Sequence, residues 1–129
     1  MTLTRRALLA AGLAVGIATS ALAGAKAPYS QASFDAAKAA GKPILVEVSA
    51  PWCPTCKAQA PIIGALSGEA RFKDLQTFTV DFDSQKDALK SLNVQMQSTL
   101  IVFKGGKEVG RSTGDTKKAS IEALLAKAL

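Results

Sequence analysis

No histidine occurs among the 129 residues. That absence excludes a Ser-His-Asp or Cys-His nucleophile and any imidazole metal site. Two cysteines are too few for a four-cysteine zinc site within one chain. Aromatics supply only 5% of the residues, and no basic run is interleaved with them, which argues against a nucleic-acid partner. The lysines are scattered from Lys26 to Lys127, with only Lys117-Lys118 adjacent. The longest unbroken apolar run, Ala7 to Ala18, lies at the N-terminal end and is shorter than the roughly 20 residues a membrane-spanning helix needs. What the chain does have is a 48% apolar content, which argues against disorder. Its length allows one domain that buries roughly two-thirds of its unfolded surface.

Residues 1–23 read as a cleavable export signal. Arg5 and Arg6 precede the apolar run, and Ala21-Leu22-Ala23 fits an A-x-A cleavage site before Gly24, with rival cuts after Ala25 and Ala27. Thr4-Arg5-Arg6-Ala7-Leu8-Leu9 resembles a twin-arginine signal, and a general secretory signal fits equally. Removing 1–23 leaves 14 basic and 10 acidic residues, so the net charge falls from +6 to +4. Export, with the bacterial periplasm as the expected destination, places the cysteines in an oxidising compartment where a disulfide persists.

Residues 24–29 read as a linker and 30–129 as the folded domain. Ser30 or Ser33 caps a helix through about Ala40, and Gly41 stops it. Ile44 to Val48 has the β-branched richness of a strand. Ala50-Pro51-Trp52 is a turn, followed by a helix from near Cys53 to Ser67 that Pro61 should kink. Leu75 to Phe82 alternates as a strand with one buried face. Asp83 or Ser84 caps a helix through Leu92. Leu100 to Phe103 and Glu108 to Ser112 flank a Lys104-Gly105-Gly106-Lys107 hairpin turn. A last helix starts near Asp115 or Thr116, with Ile121, Leu124, Leu125 and Ala128 at helical spacing. The order α-β-α-β-α-β-β-α suggests an α/β fold, a central mixed sheet with helices on both faces.

Cys53-Pro54-Thr55-Cys56 carries the chemistry. At a strand-to-helix junction, the free N–H groups and positive dipole end of the helix favour a thiolate at Cys53. Cys56, one turn on and expected to be the more buried, lies within disulfide reach. Cys53 then attacks a substrate disulfide and Cys56 resolves the mixed disulfide; the reverse sequence oxidises a substrate. As a structural staple, so short a ring constrains the unfolded chain little.

The segment Gly41-Lys42-Pro43-Ile44-Leu45-Val46-Glu47-Val48-Ser49-Ala50-Pro51-Trp52-Cys53-Pro54-Thr55-Cys56-Lys57 resembles the active-site region of thioredoxin-like proteins. Trp52 before the first cysteine, Pro61 five residues after the second, the Phe103-to-Lys107 hairpin and Gly114 agree with that family. The resemblance runs from about Ser30 to Leu129. It implies a thioredoxin-like fold and thiol-disulfide exchange with protein disulfides or dithiols, without an organic cofactor. It also implies that Glu47, six residues before Cys53, stands where the family has a buried carboxylate that helps move the proton of the second cysteine. The alternative is a strand residue facing solvent. The family's partner lysine on the next strand is replaced by Thr79. Trp52 is expected to shield the dithiol and offer a flat apolar contact, or else to pack in the core. Lys57 reads as a solvated helix lysine. Pro54 and Thr55 are the pair that tunes redox potential in the family. Gln97-Ser98-Thr99 replaces the family's cis-proline segment, which pairs with substrate. A cis bond before serine costs roughly 3–4 kcal/mol, so either a trans bond with a rearranged loop or a strained cis bond is expected. The Ser98 hydroxyl is placed to hydrogen-bond a thiolate.

The leading reading is an exported, monomeric thiol-disulfide oxidoreductase. Reductase is favoured slightly, since Glu47 and the Trp-Cys context look more like thioredoxin than like the strong oxidants. An exported reductase requires a donor, for which a membrane-embedded thiol carrier is expected. A rival is a Cu(I) carrier using Cys53, Cys56 and Met96, since thiolate and thioether suit that ion. A third is a thioredoxin-fold binding module with an idle dithiol, which a broad exposed apolar surface would favour.

Overall fold

The computed structural model describes residues 25–129 together with Gly12 and Ala14. The expected export signal otherwise lies outside the described residues. In chain order come β1 (Lys26–Pro28), α1 (Gln31–Ala39), β2 (Ile44–Ser49), α2 (Pro54–Ser67), a 3-10 turn (Ala70–Phe72), β3 (Gln76–Asp81), α3 (Lys86–Ser91), β4 (Thr99–Lys104), β5 (Lys107–Thr113) and α4 (Lys118–Ala126). The strands form one sheet in the order β1-β3-β2-β4-β5. β1 and β2 run parallel to β3, while β4 is antiparallel to β2 and β5 antiparallel to β4.

Alternation along β2 divides the core. Ile44, Val46 and Val48 join Phe78, Val80, Ile101 and Phe103 beneath Phe34 of α1 and Leu89 of α3. Leu45 joins Leu100 and Val102 on the other face, beneath Ile63 and Leu66 of α2 and Ile121, Leu124 and Leu125 of α4. Helices thus cover both faces of a mixed sheet, as the element order implied. Glu47 lies two residues from Leu45 and therefore shares the α2 face. That settles an orientation the flanking valines left open.

Local chemistry accounts for the boundaries. Ser30 is the α1 cap, its Oγ accepting from the Ser33 N–H at 3.1 Å. Gly105 and Gly106 both have positive φ, +57° and +79°, as a two-residue hairpin turn with matching twist requires. α3 starts later than expected, at Lys86. Asp81 instead organises the preceding turn, its Oδ1 accepting from the N–H groups of Asp83 (2.8 Å) and Ser84 (3.0 Å). α4 likewise starts at Lys118, after Asp115 has accepted from the Lys117 N–H. α2 is continuous through Pro61.

The segment read as linker contributes the edge strand β1. Thr77 donates to Ala25 O at 3.1 Å and Tyr29 to Thr79 O at 2.9 Å. Lys-Ala-Pro carries no strand signal of its own; the free edge of β3 offers hydrogen bonds to any extended segment that reaches it.

Candidate active site

The β2–α2 junction holds the cysteines. Cys53 is the N-cap of α2, in extended conformation, with Pro54 directly after it in the first turn. Its Sγ accepts from the Cys56 N–H at 3.1 Å. Cys53 and Cys56 form a disulfide with Cα atoms 5.3 Å apart. The two sulfurs have opposite surroundings. Cys53 Sγ faces an N–H donor at a helix start, which stabilises a thiolate. Cys56 Sγ lies 3.9 Å from the Val48 carbonyl oxygen, an acceptor that favours a protonated thiol.

The expected order of burial is reversed. Cys53 is 1% exposed and Cys56 9%. The Ala50–Trp52 turn folds back so that the Cys53 N–H donates to Ala50 O, and Cys53 packs with Ala50 and Phe82. The asymmetry of the pair therefore rests on hydrogen bonding rather than on burial.

Glu47 is only 7% exposed. Its Oε1 accepts from Thr79 Oγ1 at 3.0 Å and forms an ion pair with Lys26 Nζ. A carboxylate withdrawn from water needs such partners. The missing lysine on β3 is thus answered by Thr79 in place and by an ammonium from β1. A cavity of about 210 Å³ is lined by Glu47, Cys56, Lys26, Lys57, Gln59 and Ile63, among others. It joins the carboxylate to the second cysteine and is large enough for several waters.

Trp52 is 56% exposed, which excludes core packing. Its Nε1 donates to Asp83 Oδ2 at 2.9 Å, and its ring meets Phe82 edge-on with centroids 6.4 Å apart. Lys57 is exposed, and Thr55 is half-buried beside the cysteines.

The Gln97–Ser98 bond is trans; no cis peptide occurs among the described residues. Ser98 instead takes φ +57°, a left-handed conformation that costs a non-glycine residue on the order of 1 kcal/mol. Its N–H donates to Val48 O at 2.8 Å. Its hydroxyl donates to Gln97 O at 2.6 Å, so it is not the thiolate donor that was expected. Thr99 Oγ1 donates to Met96 O, closing the loop into β4. Met96 is exposed and lines a separate depression with Asn93, Arg111 and Thr113, apart from the cysteine cavity.

The thioredoxin family model matches residues 26–127. The chain belongs to the thioredoxin family. Thioredoxin of Chlamydia trachomatis serovar D is 37% identical over 98 residues, covering 76% of this chain and 93% of that protein. Rice Thioredoxin H2-1 is 33% identical over 84 residues, 65% of this chain; the match spans only 59% of that longer protein. The crystal structure of Trxlp from Edwardsiella tarda EIB202 superposes with a TM-score of 0.77 at 44% identity, covering 78% of this chain and 98% of that one. With its cysteine pair at disulfide distance, this thioredoxin-family chain is a thiol-disulfide oxidoreductase.

Two residues of the site went unread in the sequence. Lys26 sits in a stretch read only as linker and rival cleavage site, and its reach to Glu47 depends on β1 docking beside β3. Gln59, one turn after Cys56, is buried and donates to the Ser98 and Asp115 carbonyls at 3.2 and 2.9 Å. A lone glutamine on an otherwise apolar helix face was the only signal for it.

Proposed function

We propose that this thioredoxin-family protein reduces disulfides of protein substrates outside the cytoplasm. The observation that carries the reading is the pairing of Cys53 Sγ with a helix-start N–H while Cys56 shares a cavity with Glu47. Cys53 thiolate attacks a substrate disulfide; one substrate sulfur leaves with the electron pair and takes up a proton. The Cys56 thiol passes its proton to Glu47, and its thiolate attacks Cys53 Sγ. The Cys53–substrate bond breaks, the second substrate thiol departs, and the internal disulfide forms, so two electrons pass to the substrate. Trp52 and the Gln97–Ser98–Thr99 backbone contact the substrate chain.

The reducing direction is supported by Pro54. As the first residue of α2 it brings no N–H to the helix start, and Pro54 and Thr55 thus set how far the thiolate is stabilised. A less stabilised dithiol form gives up its electrons more readily. Residues 1–23 are assigned to export, and the electrons to a membrane-embedded thiol donor. No observation favours the Cu(I) reading, because Met96 stands apart from the cysteine cavity. The test is insulin-disulfide reduction and the reduction potential of the pair, with Cys53→Ser as control, joined to fractionation of the full chain with and without residues 1–23. Equal activity of Cys53→Ser and wild type refutes the catalytic assignment. Retention of the full chain in the cytoplasm refutes the location.

A further inference from the structure

Ser98 is held in a conformation that an L-residue does not choose, with its backbone next to the resolving cysteine. The Val48 carbonyl oxygen receives the Ser98 N–H at 2.8 Å and lies 3.9 Å from Cys56 Sγ. The Ser98 carbonyl accepts from the Gly114 N–H at 3.0 Å and from Gln59 Nε2 at 3.2 Å. The same Gln59 amide donates at 2.9 Å to the carbonyl of Asp115. Gln59 is 3% exposed, and burial of its amide is offset by the two carbonyls it reaches. Bonds thus run from α2 to two separate loops, with Cys56 and Gln59 one turn apart on the helix.

We propose that Gln59 is a positioning residue. It clamps the Gln97–Ser98–Thr99 loop and the Gly114–Asp115 corner to the helix that carries the cysteines, and so presets the backbone against which a substrate chain lies. The inference rests on the proposed role of this loop in substrate binding. Gln59 makes its hydrogen bonds to the Ser98 and Asp115 carbonyls and to neither sulfur, so the clamp acts on protein substrates that need the loop rather than on the attack of Cys53.

The experiment compares two substrates. Gln59→Leu, similar in size and unable to donate, should raise KM for insulin about three- to tenfold, as expected for loss of one to two hydrogen bonds. The rate of the first attack of Cys53 on 5,5′-dithiobis(2-nitrobenzoate), a step that uses neither the loop nor the cavity beside Cys56, should stay within about twofold of wild type. Adding Ser98→Gly should recover most of the loss, since glycine takes positive φ without strain and needs less holding. Equal loss on both substrates, an unchanged KM for insulin, or no recovery in the double variant overturns the clamp. Gln59→Asn, too short to reach both carbonyls, serves if Gln59→Leu does not fold. Should wild type reduce neither disulfide, the functional reading falls, and hydrogen exchange still judges the clamp. Gln59→Leu should speed exchange at the Ser98 and Gly114 amides relative to those within β2, and unchanged exchange there overturns it.

Discussion

Lys26→Met removes one ammonium and keeps most of the stem that crosses the edge of the sheet. Two limits bound the cost. An exposed ion pair contributes at most about 1 kcal/mol; breaking a fully buried pair costs roughly 3–5 kcal/mol. The Lys26 side chain is 60% exposed and that of Glu47 only 9%. Thr79 keeps its hydrogen bond to the carboxylate in the variant. The lower limit therefore governs, about 1 kcal/mol, or roughly a fivefold factor in rate. The sign follows from the role of Glu47. In the proposed mechanism the Glu47 carboxylate accepts the Cys56 proton, and the Lys26 ammonium is its ion-pair partner. Without Lys26 the buried carboxylate loses one of its two partners, so the attack by Cys56 should slow by that factor. The groups that face Glu47 are Lys26 from β1, Thr79 from β3, and Cys56 and Lys57 from α2; its register partner on β4 is the apolar Leu100. The assay is stopped-flow release of 2-nitro-5-thiobenzoate from Cys53, which times the attack by Cys56 between pH 5 and 9. Lys26→Arg should behave as wild type. High salt should draw wild type toward the variant, because at 1 M the screening length is about 3 Å. In a Glu47→Gln background Lys26→Met should add nothing. Equal rates of Lys26→Met and wild type across that pH range, or an equal loss in the Glu47→Gln background, refute the reasoning.

Further tests concern the fold. The backbone N–H groups of Ser84 and Asp83 hold the Asp81 carboxyl below its ordinary range. Because its folded value is the lower one, its contribution to stability is present above about pH 4 and is lost as pH falls further. Asp81→Asn should therefore flatten the acid limb of a urea-midpoint series between pH 6 and 3. A Cβ at Gly110 would stand 2.9 Å from Leu124 Cδ1 and 3.2 Å from Lys127 Cδ. Gly110→Ala should therefore destabilise by about 1 kcal/mol in chemical denaturation as α4 gives way. Leu66 is fully buried between α2 and the sheet, and Leu66→Ala should cost about 3 kcal/mol in the same assay.

Four of the five strands and the four helices were legible because each is marked by short-range physics, whereas β1 was read as linker. β2 and β4 are dense in apolar residues, α1 has a serine cap, and Gly105-Gly106 can only turn. Glu47 was legible by its distance from Cys53, although its face was not. That face follows from the register with β3 and β4, which no single strand encodes. Lys26 was illegible for the same reason, since an ion pair between residues 21 apart in the chain needs two strands to dock first. The caps of α3 and α4 were misplaced because an Asp side chain accepts backbone N–H groups in a turn as readily as at a helix start. The trans Ser98 follows from cost. The left-handed φ is cheaper than a cis bond before serine, and Val48, Gly114 and Gln59 together hold it.

The lack of histidine narrows the side chains that can take the Cys56 proton. Of the groups that line the cavity beside Cys56, the titratable ones are Glu47, Lys26 and Lys57. An ammonium has no lone pair with which to accept a proton, so the proposed mechanism assigns the carboxylate as the side-chain acceptor within the cavity. An acceptor must also release the proton before the next turnover, and for that the cavity must reach water. Lys26, mostly exposed while its ammonium meets Glu47, stands at that boundary. The ammonium paired with the carboxylate therefore also lies where the cavity meets water. On the proposed mechanism the three-residue edge strand β1 supports the redox site through Lys26, and truncation at Ala27 should reproduce the kinetic effect of Lys26→Met.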